Sequence, residues 1–365
     1  MDPRGPTAQR FPLVARFRPA CLPLPARVNS LTELAATAAD KADQGLASTV
    51  YNQAALITSD LGVPELARSM CHQHAAAYLH ACPLPGMSAI RALEPVVNLA
   101  RLQIRAGHPD DGRHHLLALY DAVTTGTAAA FEGITVPANL TASADRHEVR
   151  AWLWRVLLAD GTRTLTTTGR WTEALAHIEE HRGIGQRMLD GRQVAVLAAL
   201  TTGDTATADE VLAHTQPGEA WENAITDCLT VFCRRAAGQP VHHQVQDLVT
   251  TYLGRTNELG MTVFNTRLGL TVLDIIASTE DPAARQVVEQ LHHRTTATSD
   301  GYAARETLAH PLYMALATDQ QAQDDHALLR ACGLETGTLP VDLSDQLAAA
   351  LHTSDGVIRR SVGHP

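Results

Sequence analysis

From Asn29 onward the apolar residues recur at spacings of three and four, the pattern of helices that bury one face. Residues 31–62 read as two such helices, the second ended by Leu61-Gly62. Pro83, Pro85 and Gly86 break the chain after a helix that ends near Ala81. Pro95 is expected in the first turn of the next helix, where a missing N–H costs nothing. Further helices are expected over 219–236, 242–258, 262–278, 283–296, 302–317 and 322–332. Turn signals such as Ala237-Gly238-Gln239-Pro240 and Asp281-Pro282 separate them. One stretch has strand character, 131-FEGITVPANLTA-142. It is short and bounded by Gly133 and Pro137, so it is expected to be a long loop between helices rather than a sheet. The pattern as a whole predicts an all-α fold.

A second regularity overlies the first. A glycine ends a helix, and five positions later a small residue sits inside the next: Gly62 and Ala67, Gly107 and Gly112, Gly169 and Ala174, Gly203 and Ala208. Nine positions after each glycine stands a residue suited to a core: Cys71, Leu116, Ile178 and Leu212. The glycine supplies a left-handed C-cap, and the small residue lets the second helix approach the first. Each unit then predicts an antiparallel helix pair with a tight turn.

This spacing resembles that of the tetratricopeptide (TPR) repeat, in a degenerate form, over residues 46–216. The glycines are 45, 62 and 34 residues apart, and only the last interval equals the family's period. Similar TPR-like domains occur in actinobacterial regulators behind an N-terminal helix-turn-helix, for which residues 1–28 are too few and too rich in proline. The resemblance implies a right-handed superhelix of antiparallel helix pairs, an α-solenoid. It implies repeats over 29–216 and further pairs with capping helices over 217–352. The arginine- and proline-containing stretch 1–28 reads as a loose basic tail and 353–365 as a flexible one. A homodimer is compatible with this architecture.

Composition narrows the classes of function. The chain has 365 residues, 45% hydrophobic but only 4% aromatic, so a large core must be built from small aliphatic side chains. The formal charge of -10 disfavours non-specific binding to nucleic acid. Six cysteines without a C-x-x-C pair read as reduced, mostly buried thiols in a cytoplasmic protein. No apolar run approaches the roughly 18 residues that a membrane span needs.

Candidate chemistry is sparse. His177-Ile178-Glu179-Glu180-His181 fits H-x-x-E-H, the inverted zinc-protease signature. On a helix His177 and His181 share a face and both imidazoles reach one zinc, with Glu180 as general base on a bound water. The repeat frame instead places this helix second in a pair, with His181 where a small core residue is usual, and no third ligand stands out. A metal-dependent all-α enzyme is therefore the alternative, and no cofactor is the leading expectation. In 71-CHQHAAAYLHAC-82, Cys71, His74, Tyr78 and Cys82 form one helical stripe, read as packing. The pairs His114-His115, His242-His243 and His292-His293 point to different faces and read as surface residues.

In the TPR family the first helix of each pair lines a concave groove. Counted back from the turn glycines, those positions are Asn52, Gln53 and Asp60, then Asn98, Arg101 and Arg105, then Asp160, Arg163 and Thr167. Asn98 stands where groove asparagines of peptide-clamping members hold a peptide backbone, although the family's lysine partners are absent. Arg101 and Arg105, one turn apart, suit a carboxylate or phosphate. The expected function is a non-catalytic scaffold that binds a peptide, a protein partner or a small ligand. A regulatory role or one in assembling a biosynthetic pathway follows, without direct contact to nucleic acid or membrane.

Overall fold

The four turn glycines adopt the backbone the pattern requires. Gly62, Gly107, Gly169 and Gly203 have φ of 79°, 88°, 77° and 83°, a region in which other residues are strained. The small residue that follows each is a contact point: Ala67, Ala174 and Ala208 are fully buried. A Cβ on Gly112 would lie 2.5 Å from Ile104 Cγ1 and 2.8 Å from the Ala100 carbonyl oxygen, so the two helices are held together by the absence of a side chain. Cys71, Leu116, Ile178 and Leu212 are all buried, as the spacing predicts.

The computed structural model describes residues 1–256 and 258–363. Its regular structure is almost all helix, and the chain divides into two units, each made of two stretches. The Arg101 unit comprises residues 24–164 and 333–365, and the Trp171 unit residues 1–23 and 165–332.

The Arg101 unit contains α2 (Leu24–Lys41), α3 (Gln44–Asp60), α4 (Pro64–Leu79), α5 (Gly86–Arg105), α6 (Pro109–Thr125), α7 (Arg146–Val156) and a π-helical turn (Leu157–Gly161). The short α8 (Thr162–Thr166) carries the chain across the division at residue 164. The far-removed α19 (Val341–Val362) completes the unit. Asp43 caps α3 by accepting from the Gly45 and Leu46 amides at 2.7 and 3.1 Å. Each helix from α2 to α6 packs on the next, and α19 lies against α2, α3 and α4. Leu343 and Leu347 of α19 join the same core as Val28, Val50 and Leu93.

The Trp171 unit contains α1 (Pro6–Gln9), α9 (Trp171–Glu180), α10 (Asp190–Thr202), α11 (Thr205–Ala213), α12 (Ala220–Ala236), α13 (His242–Leu253), α14 (Thr262–Ile276), α15 (Pro282–Thr298), α16 (Gly301–Leu308), α17 (Pro311–Leu316) and α18 (Asp319–Cys332). Here too each helix from α9 to α16 packs on its successor.

Several expectations are corrected. Residues 1–28 are no loose tail: Phe11, Leu13 and Cys21 are buried, and α2 begins at Leu24. Residues 353–363 lie largely in α19, not in a flexible tail; 364 and 365 are outside the described residues. The 131–142 stretch is not a plain loop. Ala129–Phe131 (β1) and Ile134–Val136 (β2) form an antiparallel hairpin through Glu132-Gly133, both at positive φ, the geometry of a tight hairpin turn. Pro95 sits in the interior of α5, because Pro85 at the N-cap starts that helix ten residues earlier. The helix expected over 302–317 is two, divided at Pro311. The one expected over 242–258 ends at Leu253, and residue 257 lies outside the described residues. No helix is long and apolar enough to cross a membrane among the described residues. All six cysteines are free thiols.

Candidate functional site

Residues 94, 98, 101 and 105 follow one another at four, three and four along α5, so they share a face. Ser48 and Asn52 are likewise one turn apart on α3. Packing α3 beside α5 turns these two stripes into one hydrogen-bonded ladder. Asn98 Nδ2 donates to Asn52 Oδ1 at 3.0 Å, and Asn52 Nδ2 donates to Glu94 Oε2 at 2.6 Å. Ser48 Oγ donates to the same Glu94 oxygen at 3.1 Å and lies 2.9 Å from His74 Nε2 on α4. At the other end Arg101 Nη1 donates to Asn98 Oδ1 at 3.0 Å. Its Nε and Nη2 donate to Asp160 Oδ2 at 3.0 and 2.7 Å. Asp160 is carried by the π-helical turn, a local widening of a kind frequent at functional sites.

A second cluster lies on the same α5 face. Asp60, nearly buried at 4% side-chain exposure, bridges Arg27 at 2.7 Å and Arg105 at 3.3 Å. Arg105 Nη1 also donates to Ser59 Oγ at 2.7 Å. Arg101 and Arg105 remain 48% and 43% exposed, so both guanidinium groups are reachable from solvent.

The structure thus joins Asn52, Asn98, Arg101 and Asp160 into one network and sets Arg105 and Asp60 beside it. Gln53 is half-buried and makes none of these bonds. Arg163 is half-buried on α8, one turn beyond Asp160, and Thr167 lies across the division of the units. Ser48 and Glu94 are not among the expected residues, and His74, expected only as part of a packing stripe, also bonds to Ser48. The signal was present: Glu94 lies four before Asn98 and Ser48 four before Asn52. Counting back from the turn glycines alone does not reach them.

Burial dominates the electrostatics of the inner end. His74 stacks on Tyr51 with ring centroids 4.9 Å apart and is pushed down to about 3, so it is neutral. Burial also raises Glu94 above the usual carboxylate range, against the lowering effect of its bonds to Asn52 and Ser48. Ser48 gives its one proton to Glu94, so it accepts from His74 as the Nε2–H tautomer. A serine nucleophile needs the imidazole between acid and hydroxyl. Here the hydroxyl is in the middle and 2% exposed, so the trio is a structural relay.

Because His74 is depressed in the folded state, its contribution to stability is complete above the unfolded histidine range near 6.5 and is lost as pH falls toward 3. At pH 5 the loss is about 2 kcal/mol. Glu94 is raised and acts in the opposite sense, adding stability as its carboxyl protonates. Urea midpoints at pH 7 and pH 5 should therefore differ less in His74→Gln than in the wild type, and more in Glu94→Gln. Equal differences in all three proteins would refute this assignment.

The zinc signature is not assembled as a three-ligand site. His181 is the C-cap residue of α9 at φ -92°, ψ 9°, while His177 is buried within the helix. Their rings meet edge to face with centroids 4.8 Å apart. Glu180 is exposed. Among the described residues no group of three histidine, cysteine, aspartate or glutamate side chains is placed to hold a metal ion. Two imidazoles do not fit a catalytic zinc, which takes three protein ligands. Burial pushes the Cys71 thiol up to about 12, which suits the packing stripe expected of it. Of the paired histidines, His115 is not at the surface: it is buried and stacked on Phe131 at 4.5 Å, a contact the hairpin creates. His292 is also largely covered and faces Asp325 at 3.3 Å. Trp152 and Trp154 are half-buried, the former against the core.

In comparisons with protein-family models, curated proteins and solved structures, nothing matches this chain.

Proposed function

We propose that the chain is a non-catalytic helical scaffold, built as a TPR-like superhelix, that binds an acidic peptide or protein segment on the α5 face. The observation that carries this is the half-exposed pair Arg101 and Arg105 at the open end of a ladder whose inner members are all satisfied. The ladder fixes Asn98 and Arg101 in one geometry before any partner arrives, which lowers the ordering cost of binding. Arg105 spends Nη1 on Ser59 and Asp60, leaving Nε and Nη2 to meet an incoming carboxylate. Arg101 presents the same chemistry once a competing carboxylate displaces Asp160. A regulatory role, or one in assembling other proteins, follows from binding without chemistry. A small acidic ligand would use the same two arginines.

Fluorescence anisotropy with acidic, neutral and basic dodecapeptides tests the proposal. Acidic peptides are expected to bind preferentially, and Arg101→Ala with Arg105→Ala should weaken them about tenfold or more, the scale of charged hydrogen bonds. Binding should weaken further as salt is raised. Failure of every peptide class to bind, or an unchanged affinity in the double variant, would overturn it.

A further inference from the structure

On another face of the same unit, α4 and α19 enclose a groove of about 460 Å³. That volume is within the range of sites for small organic ligands. Gly337 N donates to the Leu61 carbonyl at 2.7 Å, so the chain enters α19 beside the end of α3. Tyr51, from the middle of α3, lies on the groove with Asp355, well along α19. Helix α19 therefore runs antiparallel to α3 and in the same direction as α4. The groove has two unlike ends as a result. Leu66 and Met70 of α4 and Leu347 and Leu351 of α19 make the first part mostly apolar, with Ser344 as its polar member. Farther along both helices the lining turns polar, reaching Asp355 and Arg359.

Two observations at the polar end point to a ligand. The first is the Tyr51 hydroxyl. The residue is 2% exposed, its ring is held against His74, and it lines the groove, yet its hydroxyl bonds to no group among the described residues. That hydroxyl is not sealed from solvent, so it opens onto the groove with its proton free to donate. The second is the state of the charges. Arg359 Nε donates to Asp355 Oδ2 at 2.7 Å, one turn apart on α19, so the two neutralise each other within the wall.

We propose that this groove binds a neutral single-chain amphiphile, its aliphatic body along Leu66, Met70, Leu347 and Leu351 and its carbonyl or hydroxyl accepting from Tyr51. With Asp355 and Arg359 paired, this end of the wall carries no net charge to favour an ionised head of either sign. The site is separate from the arginine face of α5 and does not depend on the function proposed for it.

The test uses the full chain and the neutral fluorophore N-phenyl-1-naphthylamine as probe. Saturable fluorescence with one probe per chain is expected, displaced by decanamide more effectively than by decanoate. Tyr51→Phe removes an unpaired hydroxyl and should leave folding and probe affinity unchanged while weakening decanamide about three- to tenfold, the worth of one hydrogen bond. Ala348→Trp, at an exposed position on the groove wall, should abolish both ligands without lowering the thermal transition. The proposal is overturned if the probe does not saturate, if decanoate competes better, if Tyr51→Phe binds decanamide as the wild type does, or if Ala348→Trp retains binding. A dimer in sedimentation that dissociates in Ala348→Trp would assign the groove to a second copy of the chain instead.

Discussion

Replacing Trp171 with alanine is expected to destabilise the Trp171 unit by about 3–5 kcal/mol, the range for deleting a buried aromatic side chain. The indole is 2% exposed at the first position of α9, and its Nε1 donates to the Pro3 carbonyl at 3.0 Å. One side chain thus both fills the core and ties down the backbone at Pro3. The turn beside it is equally close. A Cβ on Gly169 would lie 2.9 Å from the same Pro3 carbonyl oxygen, so the segment lies directly on the α8–α9 turn. Urea denaturation followed by circular dichroism measures the loss. Limited trypsinolysis at Arg4 should accelerate in parallel, because the backbone around Pro3 loses an anchor before the rest of the unit unfolds, whereas Arg10 stays paired with Asp274. Trp171→Phe keeps most of the packing and forfeits the hydrogen bond, so a loss of only about 1 kcal/mol is expected. Cleavage at Arg4 no faster in Trp171→Ala than in the wild type would show that the indole does not restrain the backbone around Pro3.

The second large effect is expected at Asp274 on α14. Its carboxylate accepts from Thr7 Oγ1 at 2.6 Å and His310 Nε2 at 2.9 Å, and it pairs with Arg10. Burial alone would raise this carboxyl, but the bonds from His310, Arg10 and Thr7 outweigh burial and hold it below the usual range. Asp274→Ala leaves a largely buried guanidinium and a buried imidazole without their partner. Breaking a buried ion pair from one side costs about 3–5 kcal/mol. Asp274→Asn retains acceptors and shape, so its loss is expected to be smaller. Adding Arg10→Met to Asp274→Ala should recover part of the stability by removing the stranded charge. A double-mutant cycle with no coupling would mean that the pair contributes nothing. The sign with pH follows from the depressed carboxyl. Its stabilisation is present above the unfolded aspartate range near 3.9 and lost as pH falls through the folded value.

The same segment shows where the sequence is legible and where it is not. The helix pairs were readable because their determinants are local. Gly62, Gly107, Gly169 and Gly203 announce left-handed caps, and Ala67, Gly112, Ala174 and Ala208 announce close helix approach within a few residues of each turn. Residues 1–23 carry no such period. What fixes them is remote: Gln193 accepts from the Leu13 amide and donates to its carbonyl, both at 2.7 Å, and the Cys332 thiol reaches the Cys21 carbonyl. Proline-rich backbone with satisfied polar groups can be as ordered as a helix, but its partners lie more than a hundred residues away. Helix α19 is the parallel case. Its sequence is amphipathic, yet nothing local says that Leu343 and Leu347 belong with α2 and α3.

The candidate site divides the same way. Asn52, Asn98, Arg101 and Arg105 follow from the spacing to the glycines, and the structure brings them to one face. Their mutual bonding does not follow, because it depends on Glu94 lying between two helices as a common acceptor. Asp160 meets Arg101 from a π-helical turn at Leu157–Gly161, a deviation with no clear residue code.

The interleaving of the two units bears on how the protein is made. Residues 24–164 leave the ribosome early, but the helix that covers Leu24, Val28 and Val50 follows only after residue 332. Until then the apolar faces of α2 and α3 wait uncovered while the intervening helices of the Trp171 unit are synthesised. Such late closure is expected to slow folding and to leave apolar surface open to aggregation meanwhile. It also rules out cutting the chain once to obtain either unit intact. A circular permutant that joins residues 333–363 ahead of residue 24 would give the Arg101 unit as one continuous stretch.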